Sequence, residues 1–201
     1  MQLRIGIVGA HCVGKTTLSQ ALSQALACNL IGEQIRESLK KFEPLGYHTP
    51  DQVAASEWYP HLMFDIFMNQ SQKEACAENG FVSDRTTLDY YVYYDLLSRD
   101  APEIKTIIRD LFLSQAKRRY DVLLYLPIMF PLSGDDYRNE DVIFQHEADS
   151  AIKLLLKQYP NTETIQSYTL ADRLKEALGI INRYKNYSCN VTFVPQDLLP
   201  E

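Results

Sequence analysis

The chain has 201 residues, of which 46% are hydrophobic, enough for one well-buried α/β domain and too few to leave much for a second. Its formal net charge of −6 disfavours a broad footprint on duplex nucleic acid, whose binding rests on Lys and Arg against phosphates, though a local basic groove is still compatible with it. Cys12, Cys28, Cys76 and Cys189 lack paired spacing and neighbouring histidines suited to zinc, so they read as free thiols of a reducing compartment. The first ten residues carry no basic segment followed by an apolar one, and no run of about 20 apolar residues occurs. The expectation is a cytoplasmic protein with no membrane association.

In chain order, residues 3–8 form an apolar run closed by Gly9, and residues 15–27 place Leu18, Ala21, Leu22, Ala25 and Leu26 at helical spacing, which predicts strand, loop and helix. A second strand is expected over 30–33. One long helix is expected over about 51–78, stopped at Asn79-Gly80 with Gly80 as its cap. Residues 81–83 resume an apolar run that ends on Asp84-Arg85, as a buried strand delivering polar groups at its carboxyl end would. Residues 121–126 read as another buried strand, stopped by Pro127, and 162–168 as a further one, followed by a helix over 170–184 and a last short strand near 191–194. This alternation implies an α/β fold of three layers, a mainly parallel sheet of about five strands with helices on both faces and ligands at the strands' carboxyl ends. No repeat, linker or low-complexity tract interrupts it, so residues 1–201 are read as a single domain.

The sharpest signal is Gly9-Ala10-His11-Cys12-Val13-Gly14-Lys15-Thr16, which fits G-x-x-x-x-G-K-[ST] and lies between a predicted strand and a predicted helix. Gly9 and Gly14 permit a tight path in which successive N–H groups point inward, and the positive end of the following helix favours a polyphosphate. Lys15 is expected on the β- and γ-phosphates, the Thr16 hydroxyl on magnesium, and Thr17 at the cap or on phosphate. His11, Cys12 and Val13 are expected to contribute main-chain N–H groups, the first two with bystander side chains. The expected ligands are therefore ATP and Mg2+.

The cradle does not by itself separate a kinase from a GTPase or a motor. Asp84 and Arg85 are candidates for the acceptor side, the carboxylate taking the acceptor hydroxyl's proton or holding magnesium water, the guanidinium clamping a phosphate or sugar oxygen. Their plain alternative is a surface ion pair capping a helix that starts at Thr86. Glu33 and Arg36, three apart, would share a face if a helix begins there, with substrate contact and a local salt bridge as equal readings. Among the aromatic residues most have helical spacing and read as core, with Trp58 and Tyr59 as candidates for a base pocket. His48, His61, His146 and the run Lys117-Arg118-Arg119 receive no role.

Four blocks, GAHCVGKTT, GEQIRE, QSQKEACAENGFVSDRTTLDYY and YDVLLYLPIMFPLSGDDYR, occur in that order along nearly the whole chain. Together they resemble small P-loop kinases of the nucleoside and nucleotide kinase group, specifically the ribosylnicotinamide-kinase-like (NadR-like) ATPase domains. Asp84-Arg85 looks like the Asp-Arg pair of thymidylate kinases, which implies Asp84 near the acceptor and magnesium and Arg85 on substrate or phosphate. The preference for ATP over GTP is likewise implied by the resemblance alone. A lid is expected over about 129–141, where Ser133-Gly134-Asp135-Asp136-Tyr137-Arg138 is polar and flexible and Arg138 would stabilise the transferring phosphoryl group. Its plain alternative is a local pair with Asp135, Asp136 or Glu140. Residues 121–126 end in Leu126-Pro127, so the acidic residue of a motor ATPase is missing there, which shifts magnesium onto Thr16, Asp84 and water.

The reading with most support is transfer of the ATP γ-phosphate to a nucleoside, a nucleoside monophosphate or a ribosylnicotinamide-like acceptor. A polynucleotide or modified-base DNA kinase is the alternative enzyme, and a nucleotide-regulated binding module the non-enzymatic one. Partner expectations are a small-molecule substrate, nucleic acid disfavoured, no membrane, and an oligomeric state left open with a homodimer included.

Overall fold

The computed structural model describes residues 3–77, 79–131 and 142–190, with side chains to Lys185. The lid expectation over 129–141, with Arg138, and the strand expected near 191–194 therefore lie outside the described residues, apart from the first three lid positions.

Five strands, β1 (Arg4–Val8), β2 (Asn29–Ile31), β3 (Phe81–Asp84), β4 (Val122–Tyr125) and β5 (Thr162–Thr164), form one parallel sheet in the order β2-β3-β1-β4-β5. Side chains alternate between its faces, as the two-residue period of a strand requires. Ile5, Ile7, Val82, Val122 and Leu124 join the core under α1 (Lys15–Leu26) and α8 (Leu170–Asn190), whereas Phe81, Leu123 and Tyr125 meet α5 (Thr87–Leu97) and α7 (Val142–Leu156). The expected α/β layering is what the structure shows.

A third apolar cluster lies beyond the sheet edge. It gathers Leu39 from α2 (Ile35–Leu39), Val53 from α3 (Pro50–Ala54), Leu62, Met63, Ile66 and Phe67 from α4 (Tyr59–Cys76), Tyr90 and Tyr94 from α5, and Ile108 and Phe112 from α6 (Pro102–Arg119). This layer builds the wall of the site described below.

Several expected boundaries are corrected. The single helix over 51–78 is two helices, because Pro60 has no N–H for a helix entering from upstream and sits instead in the first turn of α4. The break is stitched by Ser56, whose hydroxyl donates to the Val53 carbonyl at 2.8 Å and accepts the Trp58 N–H at 3.2 Å. α4 ends at Cys76 with Ala77 as its cap, and Gly80, at φ 80°, closes the following turn. β2 stops at Ile31, which frees Glu33 from the sheet, and β5 stops at Thr164, leaving Tyr168 in the connection to α8. α6 and α7 have no counterpart in the sequence expectations.

Candidate active site

The phosphate loop leaves the carboxyl end of β1 and enters α1 at Lys15, with Gly14 as N-cap at φ 89°, a left-handed value that favours glycine. Gly9 is required for a different reason: a Cβ there would stand 2.5 Å from the Leu126 carbonyl oxygen. Cys12, at φ 60°, completes the turn. The Lys15 ammonium is buried and donates to the carbonyls of Gly9 at 2.8 Å and Ala10 at 2.5 Å. Burial and the nearby Arg85 pull its pKa down to about 8, against the opposing pull of Asp89, Asp84 and Glu33.

Asp84 closes β3 beside this loop, and burial pushes its carboxyl above the ordinary range while the Thr16 hydroxyl, which hydrogen-bonds to it, and the charges of Lys15 and Arg85 act the other way. Thr16 and Asp84 thus present adjoining oxygen donors in the polar cleft lined by Cys12, Gly14, Lys15, Thr16, Thr17, Glu33, Asp84 and Arg85. Hard oxygen donors next to a phosphate cradle fit Mg2+, and these two residues are the ones that could hold it. Among the described residues no group of three His, Cys, Asp or Glu is arranged to hold a metal without phosphate oxygens.

Asp84 and Arg85 do not form a surface ion pair. The Arg85 side chain is turned into the protein at φ 82°, with Nε 2.5 Å from Glu33 Oε1 and its guanidinium 5.2 Å from the centre of the Tyr93 ring. Burial works against this charge, but Glu33, Tyr93, Asp89 and Tyr90 outweigh it and hold the pKa well above its ordinary value. Glu33 also faces Arg36 Nε at 3.8 Å. Glu33 and Arg36 make the local salt bridge, and both also line a cavity.

That cavity lies against the third apolar cluster and is walled by Leu39, Tyr59, Met63, Tyr90, Tyr93 and Phe144. Its polar lining is His11, Glu33, Arg36, Asp51 and Arg85. Glu33 and Arg85 belong to both cavity and cradle, so the two spaces meet at this ion pair. Tyr59 contributes its ring and donates its hydroxyl to the Tyr93 carbonyl at 3.2 Å, whereas Trp58 is not in the lining and its ring packs 5.2 Å from that of His61.

The His11 side chain reaches further than a bystander's. Its main-chain N–H donates to the Tyr93 hydroxyl at 2.8 Å, its Nδ1 lies 2.8 Å from the same oxygen, and its ring stacks 6.1 Å from Phe144. His11 thereby ties the loop to the cavity wall. The Gln145 amide, one residue along α7 from Phe144, donates to the His11 carbonyl at 2.7 Å.

Two further residues brace the loop without any local signal for that role, and a third fixes the segment that carries Glu33. Asp89 accepts the Gly9 N–H at 2.9 Å and the Thr86 N–H and hydroxyl at 2.8 Å each. Thr86 and Asp89 do form a capping box on α5, so the helix start at Thr86 was legible while the reach to Gly9 was not. Tyr90 accepts the Gln34 N–H at 2.8 Å, fixing the segment that carries Glu33. Arg173 of α8 donates to the carbonyls of Val13 at 2.8 Å and Ser167 at 2.9 Å, and its guanidinium lies 4.7 Å from the centre of the Phe130 ring. The Tyr168 ring is 4.7 Å from that of Phe130.

Residues 4–195 match the family model AAA_28, described as an AAA domain. The chain belongs to this family. No curated protein matches it in sequence. Among solved structures, the NadR protein in complex with NR aligns with a TM-score of 0.72 and 18% identity over 92% of this chain, which spans about half (52%) of that one. The deoxyadenosine kinase from M. mycoides, determined with dCMP and dCDP, aligns at 0.65 and 16% identity over 90% and 99% of the two chains. Thymidylate kinase from Candida albicans aligns at 0.64 and 19% identity over 92% and 93%. The fold is that of P-loop nucleoside and nucleotide kinases. Among the described residues no helix is long and apolar enough to cross a membrane.

Proposed function

We propose that the protein transfers the γ-phosphate of ATP to a hydroxyl of a small nucleoside-like acceptor. The observation that carries this reading is the junction at Glu33 and Arg85, where a cavity walled by Tyr59, Tyr90 and Tyr93 opens onto the phosphate cradle. An acceptor seated against Tyr59, Tyr90 and Tyr93 directs its hydroxyl at the terminal phosphate, and positioning of this kind is most of what phosphoryl transfer needs. The acceptor oxygen forms a bond to the γ-phosphorus, the bond to the β,γ-bridging oxygen breaks, and ADP leaves. Glu33, which faces both spaces, takes the hydroxyl proton. Asp84, hydrogen-bonded to Thr16 within the cradle, belongs to the side that holds Mg2+, which neutralises charge on the phosphates when bound. Lys15 and Arg85 provide the protein's own cations at the transferring group.

Among the acceptors compatible with the sequence, the lining favours an uncharged nucleoside over a monophosphate. Arg36 and Arg85 are matched by Glu33 and Asp51, and Glu33 lies against both arginines, so the described lining has no surplus positive charge for a dianion. The group formed by Arg173, Phe130 and Tyr168 beside Val13 offers aromatic surface to the base of the donor nucleotide.

The test is ADP release from MgATP against a panel of nucleosides, their monophosphates, ribosylnicotinamide and a 5′-hydroxyl oligonucleotide. Stimulation by a nucleoside supports the reading. Stimulation by the oligonucleotide alone moves the protein to nucleic-acid modification, and no stimulation by any acceptor leaves nucleotide-dependent binding as the function.

A further inference from the structure

A buried chain of hydrogen bonds ends on the main chain of Arg85 and takes no part in the chemistry above. Arg85 is not glycine, yet it stands at φ 82°, a region unfavourable to an L-residue unless its surroundings hold it. Its carbonyl accepts the Ser83 hydroxyl at 2.7 Å. With that proton committed, the Ser83 oxygen accepts one N–H of the Gln70 side chain, also at 2.7 Å. The second N–H of the same amide goes to Glu74 Oε1 at 2.8 Å. Glu74 is then fixed by the Tyr120 hydroxyl at 2.5 Å on Oε1 and by the Gln115 amide at 3.1 Å on Oε2.

Gln70, Ser83 and Glu74 are all buried, so every donor and acceptor in the chain matters. The direction of donation is set from both ends. A carbonyl at Arg85 must accept and a carboxylate at Glu74 must accept, so the amide between them has to present both of its N–H groups. Turning the amide over would set its oxygen against the Glu74 carboxylate. Its carbonyl oxygen has no hydrogen-bond partner among the described residues, which fits a side chain kept for its two donors.

We propose that Gln70 and Ser83 are positioning residues that hold the Arg85 main chain in its left-handed conformation, and through it aim the guanidinium at Glu33 where cavity and cradle meet. Part of this inference rests on the kinase reading, namely that an aimed Arg85 serves phosphoryl transfer; the positioning itself does not.

Two measurements on the full chain separate these parts. The first follows the Arg85 Nε–H by NMR of 15N-labelled arginine side chains, assigned by its loss in Arg85→Lys. In Ser83→Ala and in the near-isosteric Gln70→Met, its solvent exchange is expected to rise about tenfold, as loss of one buried hydrogen bond would give, while the Arg4 Nε–H, bonded to Asp121 at 3.1 Å, stays as it was. Unchanged Arg85 exchange in whichever of the two variants folds overturns the proposal. An equal rise at Arg4 also overturns it, because the effect is then general loosening. The second measurement is kcat in the acceptor panel, expected to fall about tenfold with the KM for MgATP held. A fall in ATP affinity with kcat unchanged counts against the proposal. If no acceptor stimulates the wild-type chain, the kinase reading fails while the exchange result still decides whether Gln70 and Ser83 position Arg85.

Discussion

The carboxylate of Asp89 accepts the main-chain N–H of Gly9 at 2.9 Å, joining the first residue of the phosphate loop to the first turn of α5, eighty positions further along the chain. Its other oxygen holds Thr86, so one buried carboxylate fixes both the loop and the connection that follows Asp84 and Arg85. Asp89→Asn must turn an amide N–H toward one of these donors, leaving it unpaired in a buried place at about 1–3 kcal/mol. The expected outcome is a lower Tm together with weaker MgATP binding by calorimetry. A Tm loss with unaltered ATP affinity would show that Asp89 caps the helix without shaping the loop.

Lys15 makes nucleotide binding pH-dependent in a direction that can be worked out. Its pKa is about 8 in the free protein, depressed chiefly by burial and secondarily by Arg85. Polyphosphate binds the protonated form and holds the proton on. Affinity should then be flat below pH 7 and fall by up to about tenfold per pH unit above pH 8, where the free protein must first take up a proton. Titration calorimetry with ATP from pH 6.5 to 9.5 checks this. Lys15→Arg, which keeps its charge throughout, should bind more weakly overall but lose the break near pH 8, and a persistent break there would assign it to another group.

The parts of this molecule that local chemistry determines were open to reading from the sequence. The turn from Gly9 to Thr16 was legible because Gly9 and Gly14 answer to local backbone demands, and Thr86 announces a helix start through its own hydroxyl. The one long helix expected over 51–78 is interrupted because Pro60 has no N–H with which to continue a helix from upstream. The acceptor cavity was visible only in fragments. Glu33 and Arg36 stood out as a charged pair after a strand, but nothing local says that Glu33 would bond to Arg85, fifty-two positions away. Tyr90 and Tyr93 have the spacing of ordinary core residues, and the same face of α5 that packs the core also walls the cavity. Trp58 and Tyr59 were indistinguishable by type and position, and the start of α4 sends only the second inward. Arg173 and Gln145 carry no signal because their partners are main-chain carbonyls of a loop that is distant in sequence.

The two carboxylates at the site should separate kinetically. Glu33→Gln keeps the shape but takes away the charge that faces both the acceptor space and Arg85, so kcat is expected to fall by about 10²-fold or more, the contribution typical of a positioned base. Asp84→Asn weakens the oxygen set beside Thr16 and should raise the Mg2+ concentration needed for half-maximal rate, with loss of turnover exceeding any loss of ATP affinity. Rates measured across Mg2+ concentrations for both variants check the assignment. A Glu33→Gln enzyme with full turnover, or an Asp84→Asn enzyme with unaltered Mg2+ dependence, would reverse or remove these roles.

Arg173 tests whether the outer wall of the cradle contributes to the donor site. Its guanidinium makes two directed bonds to main-chain carbonyls, at Val13 and Ser167, while its carbon lies 4.7 Å from the centre of the Phe130 ring. Lysine can replace the charge but neither the fork nor the flat stacking surface. Arg173→Lys should therefore raise the KM for ATP severalfold, in line with about 1 kcal/mol for a lost charged hydrogen bond and stacking contact, and leave the KM for the acceptor unchanged, since the acceptor cavity is lined by other residues. Gly14→Ala approaches the same contact from the loop side. Its new Cβ would stand 3.1 Å from Arg173 Nη1 at a φ of 89°, so it should disturb ATP binding more than Arg173→Lys does and lower the Tm as well. Parallel rises in the KM for ATP and acceptor in Arg173→Lys would mean that the residue holds the whole loop, and that the donor base is recognised elsewhere.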